Sequence, residues 1–523
     1  MPFYNYICTR KQSFTMHIHP LLNSGKLGNR LGICGKPFPR TLFITLLLSC
    51  VVSTHAQRIA VISDIHLLAP ELQQASLSAE RLITSEAKMV HKSDAIMAYT
   101  TDTLLRLHPD LVLISGDLTY NGERASHQRL CQHLSRLHQA GIAVCVVPGN
   151  HDICNPYARK YLTTRAEDTD TVSTDDFASL YADFGYAGTT AAAHFMRDTL
   201  SLSYSITPLP GLTVLGIDSN RYTENLLMRR GDERNENLTA GRIRPETLAW
   251  LCDRATEARA AGCKVIALMH HHLVEHFDGE STLLPRYIIP EAETAVASLA
   301  TAGVRVIFTG HLHITDAVTS LPASSGNPSC TITDVSTGSL TTYPFPLRLG
   351  TINPEGELTL ETCFLHPSDS LVEAGRQQLE HGINTIANMM ADRIWERFGK
   401  RMTEALSLLA LFGGEDTALP TSSRQLAELI VSRMRPTLLR CMLTVTQGNE
   451  PETDPTLLTD LRQDITRLLA SFLPASAEDT AQEIVTNLWP RIEPVALSIF
   501  RDINHVGLDT ESRTDDHSPV ISL

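Results

Sequence analysis

Short apolar runs alternate with longer amphipathic stretches from residue 58 to about residue 366. The runs are nearly continuous in apolar residues, many of them β-branched, and end in polar or glycine residues: Ile59–Ser63, Leu111–Ser115, Ile142–Pro148, Leu212–Ile217, Lys264–Met269 and Val304–Thr309. Continuous apolar character indicates strands that are covered on both faces. The intervening stretches, such as Leu130–Ala140 and Pro245–Ala261, have helical spacing. The pattern predicts a layered α/β fold, with later strands at Thr331–Val335 and Glu357–Phe364.

The pattern changes after Ser368. Apolar residues then recur every three or four positions, as on one face of a helix, at Leu379, Ile383, Ile386, Met390, Ile394, Phe398, Met402, Leu406 and Leu409. Further stripes occur within Gln425–Met442, Asp460–Leu473 and Ala477–Phe500. These stripes predict a small helical bundle, and the polar stretch Asp509–Leu523 predicts a loosely ordered tail.

The first 56 residues have the features of an export leader. They carry six basic residues and no acidic one, and the apolar stretch Thr41–Ser53 precedes a small residue, Ala56. About 13 apolar residues are too few to span a bilayer, which needs roughly 20. We therefore expect a signal peptide and an exported protein that is periplasmic or on the cell surface. Leu47 to Cys50 resembles a bacterial lipobox, so a lipid anchor at Cys50 is the alternative.

The remaining chain is acidic. The whole sequence has 44 Lys and Arg against 58 Asp and Glu, a net charge of −14, and without the leader 38 basic residues remain, a net charge of −20. This balance argues against nucleic acid as a stable partner. Of the 11 cysteines, eight follow the leader, which permits disulfides but is no disulfide framework. The oligomeric state is not indicated.

Five polar clusters directly follow apolar runs. They are Asp64-Ile65-His66, Gly116-Asp117-Leu118-Thr119-Tyr120, Gly149-Asn150-His151-Asp152, His270-His271-His272 and Gly310-His311-Leu312-His313. Each cluster alone is compatible with an ordinary turn. The carboxyl ends of strands in α/β sheets converge on a ligand crevice, so the five clusters together predict a shared site. Their mixed nitrogen and oxygen donors suit ions such as Mn, Fe or Zn, and seven donors are enough for two ions.

The ordered set DIH, GDLTY, GNHD, ALMHH and GHLH resembles the calcineurin-like metallophosphoesterase superfamily over about residues 58–345. The resemblance implies a two-sheet β-sandwich flanked by helices, with two divalent or trivalent metal ions. It implies that Asp64, His66, Asp117 and His313 hold one ion. It implies that Asp117, Asn150, His270 and His311 hold the other, and that a water activated between the ions is the nucleophile. His151 would protonate the leaving group, and Asp152 would orient His151.

The sequence leaves the roles of several residues open. His270 or His271 could be the lone ligand, although the strand ending at Met269 favours His270. Tyr120 completes a GDxxY string that resembles purple acid phosphatases, in which that Tyr binds ferric iron. Because His66 fills the place of a His that those proteins lack, we expect Tyr120 to be a wall of the pocket. His276 and Arg221 are expected to be solvated.

The sequence thus predicts four parts: an export leader (1–56), a metallophosphoesterase domain (57–367), a helical domain (368–508) and a flexible tail (509–523). The expected function is hydrolysis of a small-molecule phosphomonoester or phosphodiester. The alternative is a catalytically silent metal-binding or scaffold protein that works through its helical domain. Specificity is expected to come from the segments 155–201 and 220–239, because the motifs do not define the substrate.

Overall fold

The computed structural model describes most of the chain after the leader. The described residues are 55–76, 80, 83, 87–187, 194–222, 239–277, 279–321, 330–411, 422–448, 456–470, 478–500, 505–506 and 516–523. Nearly all of the predicted leader, including Cys50, lies outside the described residues.

Strands of the described chain form two large sheets and one short hairpin. The first sheet has the order β16-β14-β13-β1-β2-β3, the second has the order β15-β11-β12-β10-β9-β8-β7-β6, and β4 pairs with β5. The strand bounds are β1 (Gln57–Ile62), β2 (Leu111–Ile114), β3 (Ala143–Val146), β4 (Arg159–Tyr161), β5 (Ala166–Asp168), β6 (Phe195–Arg197), β7 (Tyr204–Leu209), β8 (Leu212–Ile217), β9 (Lys264–Met269), β10 (Val306–Thr309), β11 (Asp316–Ser320), β12 (Ile332–Ser336), β13 (Pro346–Ile352), β14 (Glu357–Phe364), β15 (His505–Val506) and β16 (Val520–Ser522).

Helices flank the sheets and follow them in the chain. Their bounds are α1 (Ser93–Leu107), α2 (Arg124–Gln139), α3 (Thr174–Leu180), α4 (Pro245–Ala260), α5 (Glu280–Leu283), α6 (Ala292–Thr301), α7 (Asp369–Leu411), α8 (Ser423–Gln447), α9 (Leu457–Ala470) and α10 (Glu478–Phe500). Local sequence explains several starts. Pro245 opens α4, where a missing amide hydrogen costs nothing, and Ser173 and Asp176 cap the first turn of α3 reciprocally.

Strand β9 shows why the predicted strands are apolar throughout. Its residues Ile266 and Leu268 pack into the core between the two sheets, with side chains from β1 and β2. The alternate residues Val265 and Met269 pack against helices α4 and α6 on the other face. Both faces are buried, so both sets of positions are apolar. The predicted fold class, a two-sheet sandwich flanked by helices and followed by further helices, is confirmed.

The strands that carry the five clusters run in the same direction within each sheet. β1, β2 and β3 are parallel neighbours, and so are β9 and β10. Parallel strands end at the same edge of their sheet, so the loops after them can meet. Backbone hydrogen bonds join these loops: Asp64 donates to the Gly116 carbonyl at 3.1 Å, and Gly310 donates to the His270 carbonyl at 3.0 Å.

Part of the predicted tail is structured. Residues 520–522 form β16, which pairs antiparallel with β14 at the edge of the first sheet, and Ile521 is buried there. The prediction of a loosely ordered segment over 509–523 is therefore wrong for residues 516–523; residues 509–515 lie outside the description. A three-residue strand in a polar stretch has too short a pattern to be recognised. The region predicted to be helical likewise contains β15, which pairs with β11.

The eight cysteines after the leader are free thiols in this structure. Cys145 is buried in β3, as expected of a small apolar side chain. None of the helices in the described part of the chain combines the length and apolar character needed to cross a membrane.

Candidate metal centre

The loops at the strand ends have an unusual backbone. Five of the seven predicted ligands have left-handed conformations, with φ between 43° and 72°: Asp64, His66, Asp117, His311 and His313. Such angles are uncommon for residues with a Cβ and persist where the surrounding structure holds them. The strained residues are the same ones that the sequence motifs single out, and their side chains point to a common centre.

Glycines in the motifs allow the loops to approach each other closely. A Cβ on Gly149 would lie 2.1 Å from the Asp117 amide nitrogen and 2.2 Å from its carboxylate. A Cβ on Gly310 would lie 2.0 Å from the Ser63 hydroxyl and 2.4 Å from the Asp64 carboxylate. Contacts this short are impossible for a real side chain, so the glycines before Asn150 and His311 are required by packing against the neighbouring loops.

One group of donor atoms surrounds Asp64. Its Oδ1 lies 3.2 Å from His313 Nε2, and its Oδ2 accepts hydrogen bonds from the Ser63 hydroxyl and the His311 amide. His66 Nε2 lies 3.2 Å from His313 Nε2 and 3.5 Å from Asp117 Oδ2. The potential ligand atoms of Asp64, His66, Asp117 and His313 all lie within 4.8 Å of one another.

A second group shares Asp117 with the first. His270 Nε2 lies 3.4 Å from Asp117 Oδ1 and 3.0 Å from the Asn150 side-chain oxygen. His270 Nδ1 donates to the Ser115 carbonyl at 2.8 Å, which leaves Nε2 free to face the centre. Asp117, His270 and His311 again bring their ligand atoms within 4.8 Å of one another. The two oxygens of the buried Asp117 carboxylate thus face one group each.

Charges and burial set the protonation of these groups. Burial, with the nearby Lys88 charge, holds the pKa of His66 well below its usual value, and burial does the same for the pKa of His311. Burial opposes ionisation of Asp117, but the neighbouring His270 and His151 hold its pKa well below the usual range. Burial alone would lower the pKa of His270, yet the Asp117 carboxylate raises it to about 9. The carboxylate is ready to bind a cation, and the neutral His66 and His311 offer lone pairs.

The donor set fits two metal ions. It combines imidazole nitrogen with carboxylate and amide oxygen, contains no thiolate, and is divided into two groups by one carboxylate. His313 Nε2 lies 3.2 Å from both His66 Nε2 and Asp64 Oδ1, and a cation bound by all three atoms would explain why they lie so close together. The seven residues predicted from the sequence are therefore brought together, and they could hold two ions with Asp117 between them.

His151 and Asp152 lie beside this centre but do not form the predicted pair. His151 Nδ1 is 2.7 Å from the Tyr120 carbonyl, while its Nε2 is 3.9 Å from Asp117 Oδ2. The Asp152 carboxylate instead accepts hydrogen bonds from the amides of Leu118, Thr119 and Gly149 at 2.7–3.0 Å. The expectation that Asp152 orients the His151 ring is wrong. The Tyr120 carbonyl and the Asn121 side-chain oxygen, 3.1 Å from Nδ1, do so instead, and Asp152 joins the loop after β2 to the loop after β3.

The contacts of the two rings favour His270 over His271 as the ligand. Both ring nitrogens of His271 are engaged elsewhere, with the Ser219 hydroxyl at 2.8 Å and the Thr239 carbonyl at 2.9 Å.

The Tyr120 ring packs with Tyr161 in a separate apolar cluster and is not among the residues that line the cavity beside the centre, contrary to expectation.

His276 is another position where the structure differs from expectation. It is buried rather than solvated: its Nδ1 is 2.7 Å from Asp316 Oδ2, and its Nε2 is 3.6 Å from Asp334 Oδ2. Spacing along the chain could not show this, because both carboxylates come from the later strands β11 and β12.

A cavity of about 830 Å³ opens on the centre. Its walls include Asp117, Asn150, His151, His311 and His313, together with Lys88 and side chains from helices α7–α10. Among the described residues, none of the segment 155–201 lines this cavity, whereas Thr239 of the segment 220–239 does. Lys88 and the helical side chains were missed because no motif marks them; only the folded structure places them at the centre.

Comparison with known families agrees with the fold and the donor set. Residues 57–315 match the family described as calcineurin-like phosphoesterase. This part of the chain belongs to the calcineurin-like phosphoesterase family, and the protein is a metal-dependent hydrolase of phosphoric esters. No curated protein in the comparison matches the chain.

Several solved structures are similar in fold. A dimetal phosphatase from Danio rerio is 14% identical with a TM-score of 0.40, and the match covers 58% of this chain and 95% of that one. A purple acid phosphatase from yellow lupin is 13% identical with a TM-score of 0.35, covering 61% and 52% of the two chains. A phosphopantetheinyl hydrolase from Mycobacterium tuberculosis is 15% identical with a TM-score of 0.25, covering 55% and 91%.

Proposed function

We propose that the protein is an exported phosphoesterase that hydrolyses a phosphomonoester or phosphodiester at a dinuclear metal centre. The observation that carries the proposal is that the buried carboxylate of Asp117 is shared by two groups of donors, which together comprise seven residues. The proposed ligands of the two ions, which are Mn, Fe or Zn, are Asp64, His66, Asp117, Asn150, His270, His311 and His313.

The bound ions would supply positive charge for the phosphoryl oxygens and lower the pKa of a water molecule. The chain's own residues would do the rest. Lys88 lines the same cavity and is close enough to lower the pKa of His66, so its ammonium would add positive charge for the phosphate. The Asp117 carboxylate would hold the two sites at one spacing.

His151 is suited to deliver a proton to the leaving group. The Tyr120 carbonyl accepts a hydrogen bond from Nδ1, and the opposite nitrogen, Nε2, faces the centre. The side chain is 26% exposed and lines the cavity, so a substrate oxygen can reach Nε2. An imidazole held in this way can act as a general acid near neutral pH.

The test is hydrolysis by purified protein without the leader. Loaded with Mn²⁺, it should release p-nitrophenol from p-nitrophenyl phosphate or from bis(p-nitrophenyl) phosphate. Chelation should abolish the activity, and readdition of metal should restore it. Absence of turnover of both esters with Mn²⁺, Fe²⁺ and Zn²⁺, by protein shown to be folded, would contradict the proposal and favour the metal-binding or scaffold alternative.

Export rests on the composition of the leader: six basic residues, no acidic residue and the apolar stretch Thr41–Ser53. Mass spectrometry of the mature protein tests it. A chain that starts after Ala56 supports signal-peptide cleavage, whereas a diacylated Cys50 supports the lipid anchor. A full-length chain in the cytosolic fraction would contradict export.

A further inference from the structure

The cavity at the metal centre extends from the loops that carry the proposed ligands, here called the catalytic loops, into the bundle of helices α7–α10. The same cavity that is lined by Asp117 and Asn150 is also lined by residues of all four helices α7–α10. These residues are Leu379, Gly382, Met434, Leu438, Cys441, Met442, Val445, Thr446, Leu461, Ile465, Arg491, Ile492 and Ala496. The bundle is therefore a wall of the active-site cavity in this structure.

The chemistry of the walls changes from one part of the cavity to the other. The catalytic loops supply carboxylate, amide and imidazole groups, and Lys88 adds a cation. In the described part of the bundle, Arg491 is the only charged residue that lines the cavity, and most of the others are apolar. Helix α8 contributes Met434, Leu438 and Met442, which are spaced by four residues and so lie on one face of the helix.

A cavity with one ionic and one apolar part fits a ligand with the same division. We propose that the substrate is an amphiphilic phosphoester, with its phosphorus group at the metal centre and a hydrocarbon chain of lipid length between helices α7–α10. This inference rests on the proposed function, because it assumes that the phosphorus group binds at the centre. The volume of about 830 Å³ lies within the usual range for ligand pockets, about 300–1,000 Å³.

Chain length should then determine affinity. Burying one methylene group contributes enough free energy to tighten binding about fourfold. Methyl-, butyl- and octylphosphonate provide a series with one head group and no bond to hydrolyse. Titration calorimetry with the Mn²⁺-loaded protein, below the critical micelle concentrations, should show dissociation constants that fall by ~100-fold or more from butyl- to octylphosphonate. Constants that agree within about threefold across the series would overturn the proposal.

Two tryptophan substitutions on helix α8 locate the chain. Leu438→Trp fills the cavity and should reduce the dependence on chain length to less than about tenfold between butyl- and octylphosphonate. Ser432→Trp adds the same side chain at an exposed position of the same helix and should keep the full dependence. Met434→Trp replaces Leu438→Trp if circular dichroism shows that the latter is unfolded. An unchanged dependence in a folded cavity variant would overturn the assignment of the chain to the bundle.

A head-group control separates specific binding from simple partition of alkyl chains. Octyltrimethylammonium has the same chain but carries a cation, so it should bind at least ~10-fold more weakly than octylphosphonate. Equal affinity would show that the chain binds without a phosphorus group at the centre and would contradict the proposal.

The failure of this inference can be told from failure of the proposed function. If the protein hydrolyses the p-nitrophenyl esters but its affinity for alkylphosphonates does not depend on chain length, the proposed function stands and the lipid-like substrate is rejected. Absence of turnover in folded, metal-loaded protein rejects the proposed function, whatever the alkylphosphonates show.

Discussion

The backbone amide of Thr315 donates a hydrogen bond of 3.0 Å to the carbonyl of Val445, near the end of helix α8. The Thr315 hydroxyl donates to the next carbonyl, that of Thr446, at 2.8 Å. Carbonyls in the last turn of a helix lack hydrogen-bond donors within the helix. Here Thr315, two residues after His313, supplies both donors. The helical region is thus hydrogen-bonded to the loop that carries two proposed ligands. A chain cut after Ser368 would lose these bonds and β16, so it would not isolate the role of the helices.

Replacing Thr315 by Val should weaken this connection. The change removes the hydroxyl and leaves the buried Thr446 carbonyl without that donor, so we expect the free energy of unfolding to fall by about 1–3 kcal/mol. Urea denaturation followed by circular dichroism measures the loss. Thr301→Val, which removes an exposed hydroxyl from helix α6, should change stability by no more than about 0.5 kcal/mol. Equal effects of the two substitutions would contradict the role given to Thr315.

Asp117→Asn should remove most of the activity. An amide cannot supply the negative charge that faces both donor groups, so kcat/KM for p-nitrophenyl esters should fall by more than ~100-fold. A loss of ~100-fold is the upper end of the range for residues that only hold the ligands of a metal in place, and a ligand should lose more. Metal content, measured by mass spectrometry, should fall as well. The matched control is Asp102→Asn, which alters an exposed carboxylate on helix α1 and should leave both quantities unchanged. Full activity of Asp117→Asn would refute the ligand assignment.

Different leaving groups distinguish the roles of His151 and Asp152. If His151 protonates the leaving group, His151→Gln should slow hydrolysis of an alkyl phosphate by ~10²–10⁴-fold but that of p-nitrophenyl phosphate far less. Asp152→Asn should slow both substrates equally and also lower the unfolding free energy, because the carboxylate bonds backbone amides of two loops. Steady-state kinetics with both esters gives the comparison. If Asp152→Asn, like His151→Gln, slowed the alkyl phosphate much more than p-nitrophenyl phosphate, the result would support the predicted His151–Asp152 pair.

Gly149→Ala should damage the centre out of proportion to its size. Its new Cβ would clash with the Asp117 amide and carboxylate, so Asp117 would have to shift, with a cost of about 1–3 kcal/mol in unfolding free energy and a large loss of kcat. Gly262→Ala is the control: it has φ +80° but no atom within 4 Å of the added Cβ, so it should cost about 1–2 kcal/mol of stability and no activity per folded molecule. Full kcat in Gly149→Ala would contradict the packing argument.

Stability should depend on pH through His276. Burial alone would lower the pKa of this imidazole, but Asp316 and Asp334 raise it to about 10. Because the folded pKa lies above the unfolded value of about 6.5, the stabilisation is fully present below pH ~6.5 and is lost as the pH rises through about 10. The urea midpoint of the wild type should therefore fall from pH 7 to pH 10 by more than that of His276→Gln. His366→Gln, at an exposed position, should behave like the wild type. If the urea midpoint fell by the same amount in the wild type and in His276→Gln, the result would exclude this charge pairing.

The sequence predicts the sheets and the meeting of the donors because both depend on local pattern. Continuous apolar runs such as Lys264–Met269 indicate buried strands, and parallel strands bring their carboxyl ends together whatever the loops contain. Asp117 and His270 could therefore be assigned to one site although they lie far apart in the chain.

Other features depend on contacts that leave no local pattern. The partners of Asp152 are backbone amides, which every residue has, so no side-chain motif reveals them. The burial of His276 depends on carboxylates that arrive from β11 and β12. A helical stripe shows that one face is buried, but whether Leu438 faces another helix or a cavity depends on tertiary packing.

The pairing of β16 with β14 has a consequence for biosynthesis. During translation β14 emerges before the four helices, and its edge partner β16 emerges only after them. The same late segment places Asp516 against β11, where its carboxylate accepts the Ala317 amide at 3.0 Å. The pairing of β14 with β16 and the hydrogen bond between Ala317 and Asp516 can therefore form only after all four helices have been synthesised.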